Sequence, residues 1–341
     1  MKKLKFYFIT VLLCFGMCFC LIGCEKNNLK KIKVAEVAHS VFYAPQYVAI
    51  EQGFFEELGL EIELINANGA DKVTSALLSN DVEIGLQGPE PTIYLYNNDQ
   101  SNYLVNFAQL TRTDGSFLFG REDIKDFDIT MLKGKSVLGG RKGGVPEMTL
   151  EYVLKKNGLT VCQNKDNVDP TLNEVNVRTD VAFGAMAGSF LAGNGDYVTL
   201  FEPTATDLVK AGKAYLLCSI GELAGSVPYT AYSTTINYFK KNKETLKKFV
   251  AAIYKGEQFV KNSPNRVVAT SMKKFFPDIS VEDLESVVER YRNINAWCET
   301  PYFEEDGFNR LMEIMQEANE LDKIAPYNVL VNNDIVKEVL Y

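Results

Sequence analysis

Apolar and polar positions along this 341-residue chain keep switching between two periods. Short apolar runs, suited to strands buried on both faces, lie at about 32–38, 60–65, 82–87 and 103–110. Between them fall segments that read as helices: one opening at Pro45, one at about 70–79, and a short one after Gly88-Pro89-Glu90. That alternation predicts βαβ units. The stretch 114–121 (DGSFLFGR) is extended and leads into a second alternating set over about 115–226. There the pattern predicts strands at 136–140, 173–177 and 197–200. It also predicts a helix ending near Gly158, a small-residue helix at about 181–192 and a helix reaching about Gly212. A second extended stretch, 227–234 (VPYTAYST), crosses back.

The remainder is mainly helical. Leu246, Phe249, Val250 and Ile253 keep the i, i+3, i+4, i+7 spacing of a core-facing stripe. Phe308, Leu311, Met312 and Met315 repeat it, and Val281, Leu284, Val288 and Tyr291 come close. All three stripes are expected to pack on the first lobe. The organisation is therefore α/β with two lobes joined by two crossovers: 32–114 plus 229–341, and 115–228.

Residues 1–24 stand outside this pattern. Lys2, Lys3 and Lys5 precede an apolar run from Phe6 to Ile22, which ends in Leu21-Ile22-Gly23-Cys24. A basic start, an apolar middle and a small residue before the cut make a secretion signal, 1–23. The ending resembles the lipobox of bacterial lipoproteins, which implies a lipid on Cys24 and a short lysine-rich tether, 24–31. Loss of Lys2, Lys3 and Lys5 takes the net charge from −8 to −11. An acidic body with no basic stripe argues against nucleic acid. Of seven cysteines, Cys14, Cys18 and Cys20 leave with the signal. Cys162, Cys218 and Cys298 remain, an odd set with no metal-ligand spacing. Cys218 reads as a small buried hydrophobe.

Candidate chemistry clusters at strand ends. Pro45, Pro89, Pro146 and Pro203 each follow a predicted strand and open a predicted helix, two in each alternating set. In open α/β sheets ligands settle outside the carboxyl ends of strands. If the crossings form a hinge, the four loops face one cleft, a clamp closing on a small molecule. Phe42, Tyr43 and Tyr229 could stack a flat ring there. Glu90, Glu147 and Glu202 sit in or beside three of the helix starts. Acid in a first helical turn complements the helix dipole; pointed into a cleft, it selects a ligand with N–H donors, because a carboxylate only accepts. Arg112, Arg141 and Lys142 suit an anion instead, or an ion pair with one of these acids. The run Gly139–Gly144 matches neither GxxxxGK[ST] nor GxGxxG, so it carries no nucleotide signal. His39 is the only histidine; it excludes a histidine metal cluster and leaves an enzyme resting on that one residue.

The run HSVFYAPQYVAIEQGFFEELGLEIEL, followed by GADKVTSALLSNDVEIGLQGPE, resembles the substrate-binding proteins of ABC importers in the thiamine-pyrimidine, nitrate, sulfonate and taurine group. GGRKGGVPEMTLEYVLKKNGL and YVTLFEPTA resemble that group's second lobe. The resemblance implies a type 2 periplasmic-binding-protein fold with a ligand between the lobes. It also implies delivery to a membrane permease with its cytoplasmic ATPase. Carried over by position, the cleft loops are Ser40–Tyr43, Gly88–Glu90 with Pro89, Gly143–Glu147 with Gly144, and Glu202. A fungal branch of the group makes the thiamine pyrimidine with a cysteine-rich motif and active-site histidines; those residues are missing here. The expectation is a monomeric, lipid-anchored, non-enzymatic binding protein without cofactor or metal, on the outer face of the bacterial cytoplasmic membrane. An aminopyrimidine is the first ligand class, nitrate, sulfonate or taurine the second, and an enzyme using His39 the alternative of another kind.

Overall fold

A computed structural model describes residues 29–341. The secretion signal and Cys24 lie outside the described residues.

Two sheets carry the architecture. The first is built from β1 (Lys30–Glu36), β2 (Leu60–Asn66), β3 (Ile84–Gln87), β4 (Leu104–Thr111) and β11 (Thr230–Thr235), in the order β2-β1-β3-β11-β4. β1 pairs in parallel with β2 and β3, while β11 runs antiparallel between β3 and β4. The second holds β5 (Phe117–Gly120), β6 (Ser136–Leu138), β7 (Thr160–Gln163), β8 (Glu174–Arg178), β9 (Tyr197–Leu200) and β10 (Tyr215–Ser219), ordered β10-β5-β9-β6-β8-β7. β9, β6, β8 and β7 are parallel, and β5 is antiparallel to both neighbours. Both expected crossings therefore become strands: β5 enters the second sheet and β11 returns to the middle of the first.

Two elements went unread in the sequence. β7 and β10 are sheet edges with mostly half-buried or exposed side chains, so neither shows the continuous apolar run of a central strand. Cys218 accordingly is half-buried on β10 rather than in the core. The expected helix at 181–192 is shorter: a single turn at Phe183–Ala185 leads into Met186–Leu191. Gly184 and Gly188 lower helix propensity there.

The stripes are buried as expected apart from half-buried Val281. Phe249, on the helix Lys243–Asn262, meets the rings of Tyr232, Phe55 and Phe107 at 4.9, 5.2 and 6.0 Å in the first-lobe core. The helix Glu305–Glu317 seats Phe308 against Phe303 and Tyr327 of the first lobe, at 6.0 and 5.8 Å, and also reaches across to the second-lobe helix Val145–Lys156. There Lys155 Nζ donates to the Glu317 carbonyl at 2.6 Å.

The crossovers run side by side. Val227 N donates to Arg112 O at 2.9 Å, and Thr113 Oγ1 to Gly221 O at 3.1 Å. Gly115 sits where the first crossover passes Phe42. A Cβ there would stand 2.5 Å from the Phe42 ring, so only glycine lets the crossing lie against it.

Candidate ligand-binding cleft

A cavity of about 560 Å³ opens between the sheets, lined from both sides, a size ordinary for a small-molecule site. The four proline-led starts meet at or beside it. Pro45 and Pro146 fall within the first turns of Ala44–Glu51 and Val145–Lys156. Pro89 and Pro203 are the N-caps of Glu90–Asn97 and Thr204–Lys210.

Of the residues singled out in the sequence, Ser40, Phe42, Tyr43, Gly88, Glu90, Gly144, Glu202 and Tyr229 border the cavity. Pro89, Gly143, Glu147 and Arg112 do not. Arg112 is exposed on the crossover, its carbonyl engaged by Val227 N. Glu147 is fully buried beneath its loop, its carboxylate accepting from Gly143 N and the Gln163 amide. Arg141, by contrast, lines the cavity.

Ser40 organises the first loop. Its hydroxyl oxygen accepts from Phe42 N at 3.2 Å and closes the turn, while Trp297 Nε1 donates to the Phe42 carbonyl at 2.8 Å. The ring of Phe42 begins an aromatic wall spanning both lobes. Its centroid lies 5.6 Å from Tyr229, 5.8 Å from Phe201 and 5.9 Å from Tyr43. Phe201 in turn meets Phe183 at 5.6 Å. Phe183 and Phe201 were not anticipated. Phe201 was within reach, because it precedes Glu202 at the end of β9; Phe183 lies among small residues that gave no signal.

The acids behave differently from one another. Glu202 is not free for a ligand: its carboxylate pairs with the Arg290 guanidinium and accepts from Thr206 N at 2.9 Å. Glu90 is 2% exposed, and its Oε2 has no hydrogen-bond partner among the described residues. Burial pushes its carboxyl up to about 7, against a partial opposing pull from neighbouring backbone N–H groups and Arg141. Gly88 makes room for it, since a Cβ at that position would stand 2.0 Å from Glu90 Oε2. Of Glu90, Glu147 and Glu202, Glu90 is therefore the one the cleft leaves available.

His39 is structural. Nδ1 lies 2.8 Å from Glu36 Oε1 and Nε2 lies 2.8 Å from the Phe275 carbonyl, with Phe276 stacked 4.7 Å away. Both nitrogens are engaged, and the Glu36 hydrogen bond raises the ring's pKa despite partial burial. Neither nitrogen is left to take a proton from a substrate. Among the described residues no cluster of three or more His, Cys, Asp or Glu could hold a metal ion.

Residues 41–267 match the family described as NMT1/THI5 like. The chain belongs to that family. It is 41% identical over 322 residues to YtlA of Bacillus subtilis (strain 168), a binding protein by name, covering 94% of this chain and 93% of that one. The ligand-binding component of an ABC-type import system from Staphylococcus aureus, solved with zinc bound, superposes with a TM-score of 0.71 at 13% identity, over 91% of this chain and 99% of that one. The alkanesulfonate-binding protein SsuA from Xanthomonas axonopodis pv. citri, bound to MOPS, gives 0.69 at 14% identity, over 89% and 98%. The fold is that of the periplasmic binding proteins. With its relative and its structural neighbours, the chain is a binding protein and not an enzyme. No helix among the described residues is long and apolar enough to cross a membrane.

Proposed function

We propose that this chain is the extracytoplasmic solute-binding component of an ABC importer, and that it captures a small planar nitrogen heterocycle, an aminopyrimidine thiamine precursor foremost. The observation that carries the ligand class is Glu90, a buried carboxyl with an unpartnered oxygen beside the wall of Phe42, Tyr43, Phe201 and Tyr229. A carboxyl near half-protonation at neutral pH offers an O–H and a C=O side by side. An aminopyrimidine presents the complement, a ring nitrogen that accepts next to an amino group that donates. The apolar rings supply faces on which such a ring stacks.

The import role is supported by the likeness to the Staphylococcus aureus component. In this reading the halves 32–114 with 229–341 and 115–228 close on the ligand. A lipid on Cys24 tethers the monomer to the outer face of the cytoplasmic membrane, and a permease with its ATPase receives the solute. The anion reading draws on Arg141, which borders the cavity together with the start of the helix Ala70–Ser79.

Thermal unfolding with added ligand separates the two. The hydroxymethyl-aminopyrimidine precursor of thiamine should raise the midpoint, because a ligand that binds only the folded state stabilises it. A rise with nitrate or taurine and none with the pyrimidine would replace this reading with the anion one.

A further inference from the structure

Two buried acids behind the cleft share too few cations. Glu147 (0% exposed) and Glu151 (2%) stand one turn apart on the helix Val145–Lys156, and neither borders the cavity. The Gln163 amide of β7 donates to both, at 3.2 Å to Glu147 and 2.7 Å to Glu151. Lys155 Nζ lies 3.0 Å from Glu151 Oε2 and neutralises that acid. Glu147 makes no ion pair among the described residues. From the facing elements, Glu320 adds another negative charge, and Lys142 is turned to Glu320 at 3.4 Å. Tyr94 lies across the loop, with Arg141 and Glu90 near its hydroxyl. Burial first, and the Glu151 charge next, push the Glu147 carboxyl up to about 8.

Glu147 is also tied to the seam between the lobes. Its Oε2 accepts from Gly143 N at 3.1 Å, and the Gly143 carbonyl accepts from the hydroxyl of Tyr94, on the first-lobe helix, at 3.1 Å. We infer that Glu147 keeps a proton beside the Glu151 carboxylate and forms a proton-dependent latch, a positioning residue that keeps the loop 140–146 against the first lobe. When a solvent base removes the proton, the carboxyl O–H bond breaks. Two like charges are then left beside one ammonium, in a place where charge is poorly solvated. The seam loosens and the cleft opens more readily in alkaline solution. Only the consequence for capture rests on the proposed binding role; the latch itself is read without any ligand.

Hydrogen exchange at the Gly143 amide, measured on the full chain without ligand from about pH 6.5 to 9.5 and corrected for intrinsic base catalysis, tests it. Loss of one proton on opening makes protection fall about tenfold per pH unit up to the carboxyl's folded value of about 8 and level off above it. Glu147→Gln keeps an acceptor for Gly143 N and cannot ionise, so its profile should be flat. If that variant does not fold, Glu151→Gln removes the neighbouring like charge, so the fall in protection should level off at a lower pH than in the wild type. Tyr94→Phe should lower protection at every pH without changing the slope. Profiles for the Gln variants that coincide with the wild type in slope and break, or a flat wild-type profile, would overturn the latch while leaving the ligand reading untouched.

Discussion

The Ser40 hydroxyl donates to the Glu202 carbonyl at 2.6 Å, joining the loop after β1 to the loop after β9. The two strands belong to different sheets, so this bond spans the cleft that both loops border. The same flank carries the Glu202–Arg290 pair and a bond from Lys210 Nζ to Asp283 at 2.6 Å. The opposite flank carries Tyr94–Gly143 and Lys155–Glu317. The lobes thus stand in contact on both sides of the cavity.

Ser40→Ala removes a turn cap and this bridge together. A lost cap costs roughly 1 kcal/mol, and a lost buried hydrogen bond about as much again. Urea denaturation should register a loss of that size, and scattering should give a larger radius of gyration for the unliganded variant. An unchanged radius would mean the Ser40–Glu202 bond does not help hold the lobes together.

Gly115→Ala should disturb the cleft from behind. The added methyl would stand 2.5 Å from the Phe42 ring, and overpacking of that kind typically costs about 1–3 kcal/mol. Because Phe42 anchors the aromatic wall, ligand affinity should fall along with stability. A variant as stable and as tight-binding as the parent would refute the close seat of Phe42.

Glu257 is a stability reserve. It is 1% exposed on the helix Lys243–Asn262, and neither carboxyl oxygen has a partner among the described residues. Burial raises its pKa well above the ordinary value. Glu257→Leu should stabilise the protein by about 1–3 kcal/mol, the usual cost of burying an unpartnered polar group. A lower urea midpoint for the variant would reveal a bonding role for the acid.

Stability should decline with rising pH. Glu90, Asp114 and Glu147 titrate at about 7, 7 and 8 in the folded protein, each raised chiefly by burial. Between the ordinary carboxylate range and those values the folded state binds more protons than the unfolded chain. Each group then lowers stability by up to about 1.4 kcal/mol per pH unit. His39 acts in the same sense: its raised pKa makes its contribution full below the unfolded value and lost as pH rises through the folded one. The unfolding midpoint should therefore fall from about pH 5 to 8 and flatten beyond it as far as these groups are concerned; a midpoint that climbs from pH 5 to 8 would contradict the burial of these acids.

The strand-and-helix rhythm was legible because most central strands here are buried on both faces and leave continuous apolar runs. β7 and β10 were hidden, since an edge strand shares its side chains with solvent. The cleft was half legible. Proline marks a helix start through its fixed φ, so Pro45, Pro89, Pro146 and Pro203 located the loops correctly. What a first-turn acid points at depends on partners far along the chain. Arg290 claims Glu202 from 88 residues away, and Gln163 with Glu151 draws Glu147 behind the loop. Arg112 looked like a cleft residue only because it neighbours the crossover in sequence.

Calorimetric titration of the hydroxymethyl-aminopyrimidine into the wild type and into Glu90→Leu tests the central claim most directly. The account predicts one site per chain and a loss of affinity of about 10- to 100-fold in the variant, the worth of the paired hydrogen bonds that leucine cannot make. Absence of binding to the wild type, or equal affinity in both proteins, would contradict it.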